Sequence, residues 1–152
     1  MEKKDNIPKP EQFGEAVIPA FGYELIRSVL LPELLGKETA TILYWSGRKL
    51  ARLYPLTTEQ DIPAFFERAG WGRLSMTGRG KRSLEFECES PIIETRIKDH
   101  PDHALFTLEA GFIAQQIQQI NGCIAEAFSE VRGGRQRKVI FRIEWDPKDA
   151  VR

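Results

Sequence analysis

Between residues 104 and 145 the spacing of apolar side chains switches from that of a helix to that of a strand, which confines the chain to a fold in which a helix covers antiparallel hairpins. Leu105, Leu108, Phe112, Ile113, Ile117 and Ile120 recur at helical spacing, and after Asn121-Gly122 and Gly133-Gly134 the residues Val139, Phe141, Ile143 and Trp145 alternate as a half-buried strand does. The stretch offers almost no side chain capable of chemistry. It is the skeleton of a domain that holds something rather than one that transforms it.

A second hairpin precedes this unit. From Trp71 the period is two, with Gly72, Leu74 and Met76 opposing Arg73, Ser75 and Thr77, and Gly78-Arg79-Gly80 supplies a turn. On the return strand Leu84, Phe86 and Cys88 share one face and Glu85, Glu87 and Glu89 the other. Over residues 123–131 one face, Cys123, Ala125, Ala127, Ser129 and Val131, is unusually small. Lys138 and Arg142 on the last strand point outward, toward Glu126, Glu130 or the earlier glutamate row, in pairs of about 0.2–1 kcal/mol each. Residues 90–103, with Pro91 and Pro101, read as a long polar connection tethered by Ile92 and Ile93.

Three helices are predicted ahead of the first strand. Residues 21–31 carry Phe21, Leu25, Ile26, Val29 and Leu30 on one side, and Pro32 is expected to break the helix. Leu31 and Leu35 point away from that stripe, so this helix is either sandwiched in the core or covered by a partner. Residues 38–54 form the next, with Ile42, Leu43, Ser46, Gly47, Leu50 and Leu53 along its inner arc. Gly47 costs about 1 kcal/mol relative to alanine in a helix interior, which points to another backbone packed against it. The third is capped by Thr57 or Thr58 with Asp61, turns Phe65 and Phe66 inward and stops at Gly70.

The 152 residues suffice for one domain that buries about 70% of its unfolded surface. Acidic and basic residues balance at 22 each, so no overall field draws the chain onto nucleic acid or an anionic membrane. Two cysteines, Cys88 and Cys123, give no disulfide framework and fit a reducing cytoplasm. No apolar run approaches the ~20 residues that span a bilayer. Residues 1–12, charged and proline-bearing, read as a disordered leader, and residues 13–152 as one α+β domain.

The block Ile42-Leu43-Tyr44-Trp45-Ser46-Gly47-Arg48-Lys49-Leu50, then Gly70-Trp71-Gly72-Arg73-Leu74, Glu89-Ser90-Pro91-Ile92 and the helix around Phe112 with its hairpin, resembles the 4-vinyl reductase type of small-molecule-binding domain. That group shares its fold with haem-based nitric-oxide sensors and the Golgi transport (TRAPP) subunits, and within it the chain looks most like the small bacterial YslB-like family of unknown function. The resemblance covers roughly residues 21–145 and indicates fold more strongly than function. It implies N-terminal helices plus an antiparallel sheet of two hairpins covered by a helix, often dimeric, with an apolar cavity between helices and sheet. The cysteines that the 4-vinyl reductase pattern carries near the final helix and hairpin are replaced here by Ala104-Leu105-Phe106 and Trp145, and the tyrosine-serine-arginine haem anchor is missing.

Several residues are candidates for function. His100 and His103 beside Asp99 and Asp102 have metal-ligand spacing, although a solvated loop is the simpler account and no metal or other cofactor is expected. Cys88 and Cys123 form a redox or metal pair only if their strands adjoin, and read more simply as small buried hydrophobes. The basic turns, Arg79, Lys81 and Arg82 at one and Arg132, Arg135, Arg137 and Lys138 at the other, lack interleaved aromatics and read as solvated charge. Trp45 lies with Arg48 and Arg52 on the polar side of its helix, either stacked under an arginine or, with Leu31 and Leu35, forming a self-association surface. Beneath the final helix, Phe86, Cys88, Phe112, Cys123 and Phe141 are the candidate walls of a ligand cavity, with close packing of helix on sheet the competing account. The expectation is a non-enzymatic, homodimeric, cytoplasmic domain that binds an apolar or lipid-like small molecule; the alternative is a protein-interaction module with a solid core and no ligand.

Overall fold

Both expected hairpins form, and they merge into one sheet. In the computed structural model, which describes residues 6–151, β1 (Arg73–Arg79) pairs with β2 (Ser83–Glu89), and β3 (Cys123–Arg132) pairs with β4 (Lys138–Ala150). The second hairpin inserts β4 beside β2, so the order is β1-β2-β4-β3 and every neighbouring pair is antiparallel. Leu84 lies opposite Ile143, Phe86 opposite Phe141 and Cys88 opposite Val139, which puts the large apolar side chains of the two central strands on one face. On the other face Lys138 reaches Glu87 at 3.0 Å and Arg142 lies opposite Glu85.

Helix α7 (Thr107–Asn121) covers the inner face, and α4 (Thr39–Leu53) packs across it from the far side. Every residue from Glu109 to Ile117 is buried, as a helix enclosed on all sides requires. The crossing of the two helices is set by a pair of glycines. A Cβ on Gly47 would stand 1.9 Å from the Leu108 carbonyl oxygen, and one on Gly111 1.9 Å from that of Tyr44. The inner arc of α4 is Thr39, Leu43, Gly47, Arg48 and Ala51, one position round from the expected stripe, so Ile42 is exposed and Ser46, Leu50 and Leu53 are half-buried.

Three expectations are corrected. Pro32 does not break the first helix: α2 (Ala20–Glu24) continues through a π-helical turn (Leu25–Leu30) into α3 (Leu31–Leu35). The widened turn bonds the Leu31 N–H to the Ile26 carbonyl, five residues back, and so admits a residue with no N–H and a bulky ring. Residues 90–103 are not one long connection, because α6 (Pro91–Asp99) forms there. Its N-terminus is capped by Ser90, whose Oγ accepts the Ile93 N–H at 3.0 Å, and it buries Ile93, Arg96 and Ile97. Of the expected leader, residues 1–5 lie outside the described residues, while α1 (Pro10–Phe13) is a helical turn tied down by Glu11 to Arg68 and by the Tyr54 hydroxyl to the Pro8 carbonyl. The remaining helix, α5 (Asp61–Ala69), buries Ile62 and Phe66 against β1 and ends at Gly70 in a left-handed conformation, φ 73°.

Candidate functional site

The four large candidates beneath α7 occupy a filled core. Phe86, Cys88, Phe112 and Phe141 are each at most 1% exposed and belong to one cluster; Phe112 stacks on Phe65 with ring centroids 4.6 Å apart and meets Trp71 edge-on at 5.2 Å. Cys123 stands away from them, half-buried, with its thiol near the Asn121 carbonyl. The expected ligand walls are therefore core packing, with one member elsewhere. Cys88 and Cys123 lie opposite Val139 and Ala150, toward opposite ends of β4, so they form no pair. Burial pushes the Cys88 thiol up to about 12, with the charges of Glu109 and Glu89 adding to it.

The self-association candidates also separate. Trp45 is 58% exposed, and the Arg48 guanidinium lies 5.6 Å from its ring and 5.8 Å from that of Tyr44. Arg48 itself is buried, donating to Gln115 at 3.1 Å, to the Ala125 carbonyl at 2.9 Å and to Gln118 at 2.6 Å, so it holds α4, α7 and β3 together and is withdrawn from any partner. Arg52 is exposed, and Leu31 and Leu35 are half-buried. The basic turns sit at opposite ends of the sheet, since Ser83 begins β2 opposite Glu144 whereas the β3–β4 turn follows Val131, in line with Val139 and Cys88. Among the described residues no group of three metal-ligating side chains occurs, and no helix is long and apolar enough to cross a membrane.

Open space lies under the π-helical turn. A cavity of about 540 Å³ is bounded by that turn, the 3₁₀ turn Gly36–Glu38, the start of α4, the end of α6 and the segment 102–105. Arg27 and Arg96 form its inner wall, and Lys37, His100 and His103 its rim, with Asp102 among them. Both arginines are almost wholly buried, at 6% and 5% exposure. Arg27 meets Glu109 of α7 at 2.5 Å and also donates to the Tyr23 hydroxyl and the Leu105 carbonyl. Burial works against its charge, but the Glu109 carboxylate outweighs that and raises its affinity for the proton. Arg96 grips Glu24 through Nε, at 3.2 Å, and Nη2, with its guanidinium 5.1 Å from the Phe106 ring and 5.9 Å from that of Tyr23. Burial alone would push the Glu24 carboxyl up, yet the bonds from Arg96 and Ser28 hold it below its ordinary value.

A groove of about 470 Å³ adjoins this cavity and shares Ser28, Arg96 and His100 with it. Its lining joins apolar residues, Phe21, Leu25 and Val29 from the first helical segment and Pro91 and Ile92 from α6, to Glu24, Thr95 and Asp99. Arg27 and Arg96 escape a reading of residue types because each depends on a carboxylate more than seventy positions away in the chain. Arg96 left one trace, since Ile93, Arg96 and Ile97 share a helical face once Ser90-Pro91 is taken as a helix start.

Residues 20–144 match a family described as protein of unknown function (DUF2507). Over 141 residues, 93% of this chain and 94% of the relative, the sequence is 47% identical to an uncharacterized protein, YslB, of Bacillus subtilis (strain 168). The crystal structure of a vinyl-4-reductase family protein from Methanocaldococcus jannaschii superposes with a TM-score of 0.67 at 17% identity, covering 95% of this chain and 93% of that one, which is a likeness of fold.

Proposed function

The chain belongs to DUF2507, a family of unknown function, and we propose that it is a non-enzymatic domain that binds a small molecule in the cleft under the π-helical turn. The observation that carries this reading is the cavity of about 540 Å³ with two buried guanidinium groups in its wall. Small-molecule sites have this size, and they combine apolar walls with a few fixed polar groups. π-Helical turns concentrate at functional sites, and this one contributes Arg27 and Ser28 to the cavity wall. Cys88 keeps its proton at neutral pH and lies in the core, the opposite of an activated nucleophile. A reducing, cytoplasmic setting suits two free thiols. Native mass spectrometry of the gently purified chain is expected to show a retained small-molecule mass that disappears when Ala40→Trp fills the cavity. A clean unliganded spectrum, together with no thermal shift across a metabolite panel, would overturn the reading.

Self-association is a second reading with its own observation. Val17, Ile18, Phe21, Ile26, Leu30 and Leu34 are all exposed along one short stretch of chain, and Trp45 adds to them from α4. A standard interface needs about 800 Å² from each partner, and a run of large apolar side chains of this extent is what supplies it. The doubly charged variant Ile26→Glu/Leu30→Glu is expected to sediment as a monomer where the parent sediments as a dimer, and Trp45→Glu to weaken the dimer less. A monomeric parent chain at micromolar concentration would remove this reading and leave the ligand cleft standing.

A further inference from the structure

We propose that the cleft selects an amphiphile with a carboxylate head and a short to medium acyl chain, the head meeting Arg96 and Lys37 and the chain lying along the groove between the first helical segment and α6. The inference rests on the ligand-binding reading above and adds the chemical class. Its starting point is the hydrogen-bond inventory of Arg96. This side chain is 5% exposed and spends Nε and Nη2 on Glu24, while Nη1 has no protein acceptor among the described residues and, since no fully buried side-chain nitrogen there lacks a partner, it reaches solvent. A guanidinium carries five N–H donors, and one whose plane is held by the protein while a nitrogen is left to solvent beside a cavity is a preformed half of a charge-assisted hydrogen bond. Arg96 is also, with Ser28 and His100, one of the residues shared by the cavity and the groove.

The charges around the cavity balance, Arg27, Arg96 and Lys37 against Glu109, Glu24 and Asp102, so an acidic head is favoured by where the donors stand and not by net charge. Glu109 and Glu24 are already engaged by Arg27 and Arg96, which leaves Lys37 facing the cavity with no carboxylate in ion-pair distance among the described residues, and Asp102 as the one other carboxylate in the wall. His100 and His103 complete a donor-rich rim. The bidentate pair with Glu24 and the stacking on Phe106 and Tyr23 fix the Arg96 plane, so a ligand oxygen finds its donor already oriented. From Arg96 the groove runs back along α6 to Pro91, five residues or about 7.5 Å at the helical rise, which accommodates a chain of several methylenes. Glu24, Thr95 and Asp99 also line that groove, and its apolar surface comes from Phe21, Leu25, Val29 and Ile92. An eight-carbon chain fits this division of labour: a head that needs donors and a tail that needs to leave water.

Isothermal titration calorimetry of the full chain with octanoate, octanol and acetate tests the assignment. Octanoate is expected to bind at least about tenfold more tightly than octanol, and acetate not measurably. Lys37→Glu, at an exposed position where folding is unaffected, is expected to weaken octanoate by about fivefold and leave octanol unchanged. Ile92→Asp is expected to weaken both, and Arg96→Lys to abolish the preference for the acid; should that last variant fail to fold, Lys37→Glu carries the charge test alone. Octanol binding as well as octanoate, or Lys37→Glu leaving octanoate affinity untouched, overturns the carboxylate head. If none of the three probes binds while the purified chain retains another small molecule, the class is wrong and the cleft still binds. If nothing is retained either, the cleft reading itself falls.

Discussion

One helix, α7, serves two regions built on opposite plans. Toward the sheet and the middle of α4 it offers Gly111, Phe112, Ala114 and Ile117, and the space is filled by apolar side chains and by backbone lying against backbone. Through Glu109 it meets Arg27, where charge is inside, Phe21, Ile26 and Leu30 are outside, and open volume remains. The contrast shows why open volume is not where the small residues of β3 point. Small side chains let helix and sheet close up on each other, whereas guanidinium–carboxylate pairs fix elements at a distance and leave room beside them.

The contrast breaks most severely at Glu109. Glu109→Ala leaves the Arg27 guanidinium buried without its counter-charge and is expected to lower the unfolding free energy by about 3–5 kcal/mol, read as a shift of the urea midpoint. Gly111→Ala tests the filled region. A methyl 1.9 Å from the Tyr44 carbonyl oxygen forces α4 and α7 apart, and a loss of about 3 kcal/mol is expected, with a compensating small residue at position 44 unable to restore it because the clash is with backbone.

Titration separates the regions by sign. The Cys88 thiol is raised to about 12 from an ordinary value of 9.0, so the stability it contributes is complete below pH 9 and is lost as pH rises toward 12; Cys88→Ala is expected to flatten that alkaline slope. Glu24 is lowered, so its contribution is present above its ordinary value of 4.5 and is lost on acidification below it; Glu24→Gln is expected to flatten the acid limb. Thiol labelling gives a finer reading of the same contrast: Cys123 is expected to react in the native protein and Cys88 only on unfolding. The smallest effect belongs to Trp45→Ala, about 0.5–1 kcal/mol for the lost stacking under Arg48, measured with the monomer to separate it from association.

How much of this was legible in the chain follows from how local each cause is. The hairpins, the inward set Leu84, Phe86 and Cys88 and the close approach at Gly47 all follow from period, turn residues and a helix-interior glycine, and each is present. α6 carried its own start signal in Ser90-Pro91, which two prolines and the Asp/His run after it obscured. The π-helical turn was out of reach, because a proline after an apolar stripe reads as a stop unless the hydrogen-bond register five residues back is known. The cleft was further out of reach still. Arg27 and Arg96 read as surface charge until Glu109 and Glu24 arrive from other elements, and no spacing rule announces a pair 82 residues apart.

The position of β4 has a consequence for how the protein is made. Since β3 and β4 leave the ribosome after everything else described, yet β4 must wedge between β2 and β3, the inner edge of the first hairpin stays unpaired from the completion of β2 at Glu89 until β4 begins at Lys138. Nascent chains halted before residue 138 therefore display a naked template of alternating Leu84, Phe86 and Cys88, and closure of the whole sheet waits on one late, long-range pairing.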